Sequence, residues 1–373
     1  MSSAPSFEYL RKRAGLAWMG QNTTHLEPPA EVLDALLDGV RGREFQFYAP
    51  ALGFEQLREL IIDDLGLTGT GADALVSDGA VGGLHHICTA LGPGLSRLIT
   101  TDPGWPWPAR FVQFAGVPVT TLPVYSAERG YRLAAAQLGD VIEDRALIYL
   151  IDPLNPLGSS YSREELAGLT DLARASHSVL VHDCTYRHFA SGHTLAAELY
   201  PEGTLTTYSF SKWLGLAGLR VGAIAGTAPL LERLTDVPSS PLGSSILGQR
   251  AAIAGLAANV KDSWLSQVRA VTASNQRIVS DAVLASQLGQ VLVRPSHGNF
   301  LAIDIGDSGW TADECCSAML DRDVFIRSGT YQSERFGQRF VKVSTSVPAQ
   351  WAGRFAVAWT ELAAQPVQAA AAR

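Results

Sequence analysis

The stretch SFSKWLGLAGLRVG, residues 209–222, places Lys212 between Ser209, Ser211 and a glycine-rich run, with Arg220 eight residues beyond the lysine. A lysine amine can form an imine with an aldehyde, while hydroxyls and a guanidinium can hold a phosphate. By itself the stretch reads equally well as a solvated lysine in a polar turn ahead of a strand. Four further sites narrow the choice, because each follows a short apolar run. GAVGGLHH follows ALVSD, so Gly79, Ala80 and Val81 open a helix whose exposed amides suit an anion, although the GxxGG spacing matches no dinucleotide fingerprint. PGWPWP follows RLITTD and sets Trp105 among prolines; PLNPLG follows LIYLID and sets Asn155 between two prolines. Asp183 ends SVLVHD, with Tyr186 three residues on.

Those runs belong to an alternating pattern. From about Phe54 to Gly226, ALVS, RLITTD, VPVTTLPV, ALIYLID, SVLVHD, LTTYSF and VGAIAG are short and apolar, several rich in β-branched residues, as strands buried on both faces are. Between them lie helical spacings such as FEQLRELIIDDLG, and SREELAGLTDLARAS with its Ser162/Glu165 capping box. The alternation predicts an α/β fold, three layers (αβα) on a mostly parallel seven-stranded sheet, with ligands bound beyond the carboxyl ends of the strands. After Gly226 a long helical run gives way to VLVRP, NFLAIDI, VFIRSG and RFVKVST, mixed with the helical ADECCSAMLDRD and PAQWAGRFAVAWTELAAQ. That mixture predicts a smaller α+β domain. The expected division is an N-terminal segment, 1–46, joining the small domain; a large domain, 47–262; and a small domain, 263–373, with a long connecting helix. The terminal QPVQAAAAR is expected to fray.

At 373 residues the chain exceeds what one core normally serves. Its 47% hydrophobic and 17% charged residues are those of a soluble globular protein. A net charge of −7 supplies no concentrated cationic face, which argues against nucleic acid as a partner. No window reaches the roughly 18–20 apolar residues of a membrane span, and the N-terminus has no signal-peptide core. Cys88, Cys184, Cys315 and Cys316 show neither CxxC pairing nor metal spacing, and read as reduced thiols of a cytoplasmic protein. Adjacent His85 and His86 point in different directions on a helix, so no metal is expected from them.

Taken together, the strand ends offer what pyridoxal 5'-phosphate needs. Lys212 suits its aldehyde and Asp183 its ring nitrogen, which must stay protonated for the ring to draw electrons. Its ring oxygen wants hydrogen-bond donors, its ring an aromatic face, and its phosphate an arginine and amides. With these residues in place the chain resembles the class I/II aminotransferases of the fold type I pyridoxal-phosphate enzymes. SFSKWLGLAGLRVG and SHGNF are most similar to the histidinol-phosphate aminotransferase branch, and the resemblance runs over roughly residues 20–362. It implies that Lys212 carries the cofactor as an imine, that Asp183 pairs with the ring nitrogen, and that Tyr186 and Asn155 hold the ring oxygen. It further implies Trp105 as the stacking aromatic, and Gly79, Ala80, Val81, Ser209, Ser211 and Arg220 as the phosphate site. YAPALGFEQLRE is similar to a family motif in which Tyr48 reaches the neighbouring subunit's phosphate, which implies a homodimer with a shared active site.

The chain also departs from the family pattern. NPxNPTG reads Asp152-Pro-Leu-Asn155-Pro-Leu157-Gly, which adds a carboxylate. Cys184 stands where an acidic residue usually follows the aspartate, and reads as a small buried thiol. In RFVKVST, Lys342 replaces the arginine that forks onto the substrate carboxylate, and lysine cannot make that planar contact. Lys342 is expected to serve as a point charge; Arg327 of VFIRSG, or a substrate without an ordinary α-carboxylate, are the other readings. The expected activity is amino-group transfer between an amino acid or related amine and a 2-oxo acid. The alternative is a lyase, cyclase or decarboxylase using the same carbanion. A third reading, a sensor without turnover, fits less well with the lysine kept. A histidinol-phosphate substrate needs a second phosphate site, and no compact cluster of spare arginines stands out.

Overall fold

The computed structural model of the chain describes residues 6–237 and 242–365; the terminal tail from residue 366 lies outside them. Each of the seven apolar runs forms a strand of one sheet. In space the order is Ala72–Ser77, Gly222–Thr227, Thr204–Ser209, Val179–Asp183, Leu147–Ile151, Leu98–Asp102 and Val119–Pro123. Only Gly222–Thr227 runs antiparallel to its neighbours. Successive residues of a strand face opposite sides. Thus Leu75 packs with Leu84, Ile87 and Leu91 of the helix Gly79–Leu91, while Ala74 and Val76 pack with Leu57 and Ile61 of the helix Glu55–Asp64. The expected α/β/α layering is present, and Asp183, Ser209 and the loops beyond them fall at one end of it.

The capping box forms as expected: Glu165 N–H donates to Ser162 Oγ (3.2 Å) and Ser162 N–H to Glu165 Oε2 (2.8 Å). The helix Ala258–Ser286 is 29 residues long, roughly 43 Å at 1.5 Å per residue. Its early residues Trp264 and Val268 lie in the core beside the large sheet, whereas Val279 and Val283 lie in a third core with Leu301, Ile303, Val341 and Trp359. That third core sits under a four-stranded sheet of Arg327–Ser328, Phe340–Ser344, Phe300–Asp304 and Gln290–Val291. The N-terminal segment returns to this part of the molecule, because Ala17–Trp18 pairs in parallel with Val324–Phe325.

Two runs are less regular than their composition suggests. Only Gln290–Val291 pairs near VLVRP; Pro295, which closes the run, has no N–H to give a ladder. VFIRSG splits into Val324–Phe325 and Arg327–Ser328 in different sheets, with Ile326 buried between them.

One buried carboxylate ties the large core to the long helix. Asp64 lies 2.8 Å from Arg187, 2.9 Å from His188 and 3.1 Å from Lys261, and accepts a hydrogen bond from Tyr208 Oη at 2.7 Å. Burial alone would raise its proton affinity, but the His188 hydrogen bond and the charges of His188 and Arg187 hold it well below the usual carboxylate range. Removing it strands those positive groups. Asp64→Ala is expected to destabilise the chain by about 3 kcal/mol, read from the denaturant midpoint.

Candidate active site

At the carboxyl ends of the central strands lies a cavity of about 350 Å³, within the range of roughly 300–1,000 Å³ usual for small-molecule sites. It gathers Lys212, Asp183, Tyr186, Asn155, Trp105, Ala80, Val81, Ser209, Ser211 and Arg220, together with Arg327 and Lys342. Gly79 begins the adjoining helix without lining the cavity. Tyr48 is not brought in: it stands 78% exposed on the loop before Glu55–Asp64.

Lys212 is positioned by the turn between two antiparallel neighbours, Thr204–Ser209 and Gly222–Thr227. Thr24 Oγ1 donates to its carbonyl (2.6 Å), and Trp264 Nε1 donates to the carbonyl of Trp213 (2.6 Å). His188 stacks on the Trp213 ring at 4.6 Å. The backbone is therefore fixed while the amine is held loosely, by a 3.5 Å bond to Gln21 O. Burial, then the nearby Arg220 charge, lowers the Lys212 pKa to about 8, against the opposing pull of Asp183. Near neutral pH the free amine, the form that can act as nucleophile or base, is thus within reach.

Asp183 ends its strand with three donors on its carboxylate. Tyr149 Oη donates at 2.6 Å, Thr207 Oγ1 at 3.0 Å and the Thr185 N–H at 3.1 Å. Tyr149 sits inside ALIYLID, where it passes for one more core residue. The one clue was its hydroxyl, which needs a partner when buried. Thr207 gave no clue of its own.

Whether a phosphate fits is answered by Gly79. A Cβ there would come within 2.5 Å of Arg220 Nη2, so the absence of a side chain leaves the guanidinium room beside the helix N-terminus. Arg220 reaches this place from a left-handed backbone (φ 52°), donating to Ala217 O and Asp78 O at 2.9 Å each. A Cβ on Gly222 would lie 2.7 Å from Ala80 N, so helix and strand also meet closely. An arginine, helix amides and Ser209 and Ser211 around one hollow make the donor set a phosphate requires. Pyridoxal phosphate therefore fits the residues present.

The opposite wall comes from the smaller sheet and the N-terminal segment. Phe340, Lys342 and Ser344 share one face of their strand, with Val341 and Val343 in the core behind. Lys342, 4% exposed, donates from Nζ to Asn155 Oδ1 (2.9 Å) and pairs directly across the ladder with Arg327. Burial, then Arg327 and Lys212, pushes its amine well below the usual lysine range. The Arg327 guanidinium lies over the rings of Tyr331 (4.4 Å) and Phe7 (5.5 Å). Asn22 also reaches the site, to Tyr186 and Asn155.

The extra carboxylate, Asp152, is fully buried and faces away from this wall. Its Oδ2 lies 3.4 Å from His182 Nε2 and 3.2 Å from His193 Nε2, and Oδ1 accepts from Ser160 Oγ at 2.7 Å. His182, Cys184 and His193 bring ligand-type atoms within 4.8 Å of one another. The Ala196 N–H, however, donates to His182 Nδ1 (3.1 Å), which puts the ring's proton on Nε2, turned to Asp152. That nitrogen has no lone pair for a metal, and burial raises the Cys184 thiol well above its usual range. The cluster is a buried carboxylate flanked by two histidines, with the Cys184 thiol buried beside it.

Fold and cavity define an α/β protein with a buried lysine amine lining a cavity at the sheet's carboxyl edge. The model of the aminotransferase class I and II family matches residues 15–355, and the chain belongs to that family. It is 30% identical over 268 residues to histidinol-phosphate aminotransferase 2 of Cupriavidus pinatubonensis, covering 70% of this chain and 67% of that one. It is 26% identical over 322 residues to an aspartate aminotransferase of a Bacillus species, covering 81% and 80%. In fold it is similar to a double mutant of Thermus thermophilus aspartate aminotransferase, with a TM-score of 0.84, 20% identity and 97% of each chain covered. The protein is a pyridoxal-phosphate-dependent aminotransferase, and the family match and the curated relatives favour amino-group transfer over elimination, cyclisation or decarboxylation. Gly79→Ala is expected to weaken cofactor retention about tenfold, because the new methyl group displaces Arg220 and the glycine holds φ at 73°; fluorescence titration of the apoprotein with pyridoxal phosphate reads it.

Proposed function

We propose that the chain moves an amino group between an amino acid and a 2-oxo acid in the Lys212 cavity, with Lys212, Asp183 and Tyr186 as the catalytic residues. The observation that carries this is the buried Lys212 amine, lowered to about 8, beside the carboxylate of Asp183. When bound, pyridoxal phosphate supplies a conjugated ring that accepts the electron pair left on the substrate carbon. The remaining tasks fall to the chain. Gly79, Ala80, Val81, Ser209, Ser211 and Arg220 would hold the phosphate, and Trp105 would cover the ring. Asp183 would keep the proton on the ring nitrogen, its orientation supported by Tyr149, Thr207 and the Thr185 amide. Asn155 and Tyr186 would hold the ring oxygen. Lys212 would act as the base that takes the proton from the substrate α-carbon and as the acid that gives it back.

Lys342 and Arg327 stand side by side on the wall; Arg327 carries the positive charge for the substrate carboxylate, and Lys342, whose amine is held well below the usual range, would take up its proton as that carboxylate arrives. The neutral amine has two N–H donors, so its bond to Asn155 leaves one for this purpose, and protonation by an arriving carboxylate would add another. A shared homodimer site is supported by the apolar residues exposed in one segment, including Leu37, Val40, Phe45, Phe47 and Tyr48. There the partner subunit's Tyr48 would reach the phosphate. The division at 262/263 falls inside the helix Ala258–Ser286, consistent with a connector between a large and a small domain. A cytoplasmic location is supported by four free cysteines; among the described residues no helix is long and apolar enough to cross a membrane.

Mixing the cofactor-loaded chain with an amino donor alone tests the reading. The visible absorption is expected to disappear as the amino group passes to the cofactor and to return on adding a 2-oxo acid; Lys212→Ala is expected to lose the exchange. A donor that leaves the spectrum to recover unaided, releasing product without an acceptor, would refute it. In the same assay Lys342→Ala is expected to raise KM for carboxylate-bearing donors about tenfold. An unchanged KM there, with a raised one in Arg327→Ala, would move the role to the arginine.

A further inference from the structure

Residues 21–24 pass between the large sheet and the smaller one and close the fourth side of the cavity. Gln21 and Asn22 line it, and Thr24 bonds the Lys212 carbonyl. Asn22 is held from every direction. It is 1% exposed and left-handed, at φ 55°, a conformation asparagine tolerates better than most residues. Its N–H donates to Ser344 Oγ (2.7 Å), and its carbonyl accepts from Asn299 Nδ2 (2.9 Å).

The direction of the side-chain amide follows from those bonds. A backbone N–H can only donate, so Ser344 Oγ accepts there and has its own proton to give. Asn22 Oδ1 lies 3.4 Å away to take it. The other end of the amide, Nδ2, is then a donor, and it points to Tyr186 Oη at 3.2 Å and Asn155 Oδ1 at 3.5 Å. A phenol oxygen has one proton and lone pairs that accept, so a neighbour that donates to it leaves that proton to be spent elsewhere. Among the described residues the Tyr186 hydroxyl finds no acceptor, and it lines the cavity.

We infer that Asn22 is a positioning residue for Tyr186: its amide N–H occupies the phenol oxygen, turns the phenol's proton into the cavity and strengthens it as a donor to the cofactor's ring oxygen. The inference rests on the reading of Tyr186 given above. Two donors in series polarise one another, so a bond accepted by the phenol improves the bond it gives. The charged and titratable groups around Tyr186 are Asp183 and Tyr149 from the sheet, Lys212 from the following turn, and Lys342 and Arg327 from the opposite wall. None of these donates to the phenol oxygen among the described hydrogen bonds; Asn22 does.

The pH titration of the visible absorption of the cofactor-loaded chain, without substrate, reads the effect. The ring oxygen bears more negative charge once the bound cofactor has lost its proton, so every donor to that oxygen lowers the midpoint, and losing one raises it. Asn22→Gly keeps the left-handed backbone at no steric penalty and removes only the amide. It is expected to raise the midpoint by about 0.5 pH unit. Asn22→Asp turns the donor into an acceptor that captures the phenol proton, and is expected to raise it by about 1 unit, towards the value of Tyr186→Phe. In the Tyr186→Phe background the Asn22→Gly shift is expected to vanish. A wild-type midpoint in Asn22→Gly, or a shift that persists undiminished without the phenol, would overturn the inference, and the glycine variant decides even where the aspartate variant fails to fold. A wild-type chain that takes up no cofactor and shows no visible absorption would sink the proposed function itself and this inference with it.

Discussion

A lysine amine in water is an ammonium, and as such neither attacks a carbonyl nor takes a proton from carbon. The site depends on keeping Lys212 out of water yet within reach of the opposite charge of Asp183. Burial alone would push the amine further down; the carboxylate, itself held by Tyr149 and Thr207, sets how far. The parallel sheet is the means of bringing the two together, because it delivers Asp183 and the turn carrying Lys212 to the same edge from adjacent strands. The sheet's two cores, the N-terminal segment and the smaller sheet then serve to exclude solvent from that edge.

Much of this was legible in the residue order. The seven strands of the large sheet could be read because strands buried on both faces need continuous apolar runs, and helices between them need capping and spacing that Ser162 and Glu165 show openly. Lys212, Asp183 and Asn155 were legible because strand ends in such sheets are where ligands meet the chain. Arg220 and the opening helix residues were expected to hold a phosphate, and the fold brings Ala80, Val81 and Arg220 to one cavity.

What escaped the sequence was of another kind. Tyr149 is indistinguishable by pattern from its apolar neighbours, and only the finished sheet sets its hydroxyl against a residue 34 positions away. Asn22 meets Tyr186 across 164 residues, and Lys342 meets Asn155 across 187. Partners so distant leave no local period, because the contact belongs to the packing of loops and strands brought together by the whole fold. Asp152 illustrates the converse: as a letter it hinted at altered chemistry near Asn155, whereas in the fold its side chain is consumed by His182, His193 and Ser160.

The turn from Phe210 to Val221 joins two antiparallel strands whose ends, Ser209 and Gly222, pair directly. Lys212 and Arg220 are thus mounted on a single short span pinned at both feet. The gap between the group that would grip the ring and the group that would grip the phosphate behaves like a fixed jig, indifferent to how the smaller sheet leans. Arg327, by contrast, stands on the short strand across the ladder from Lys342, so the charge it offers a substrate travels with the smaller sheet and not with the jig.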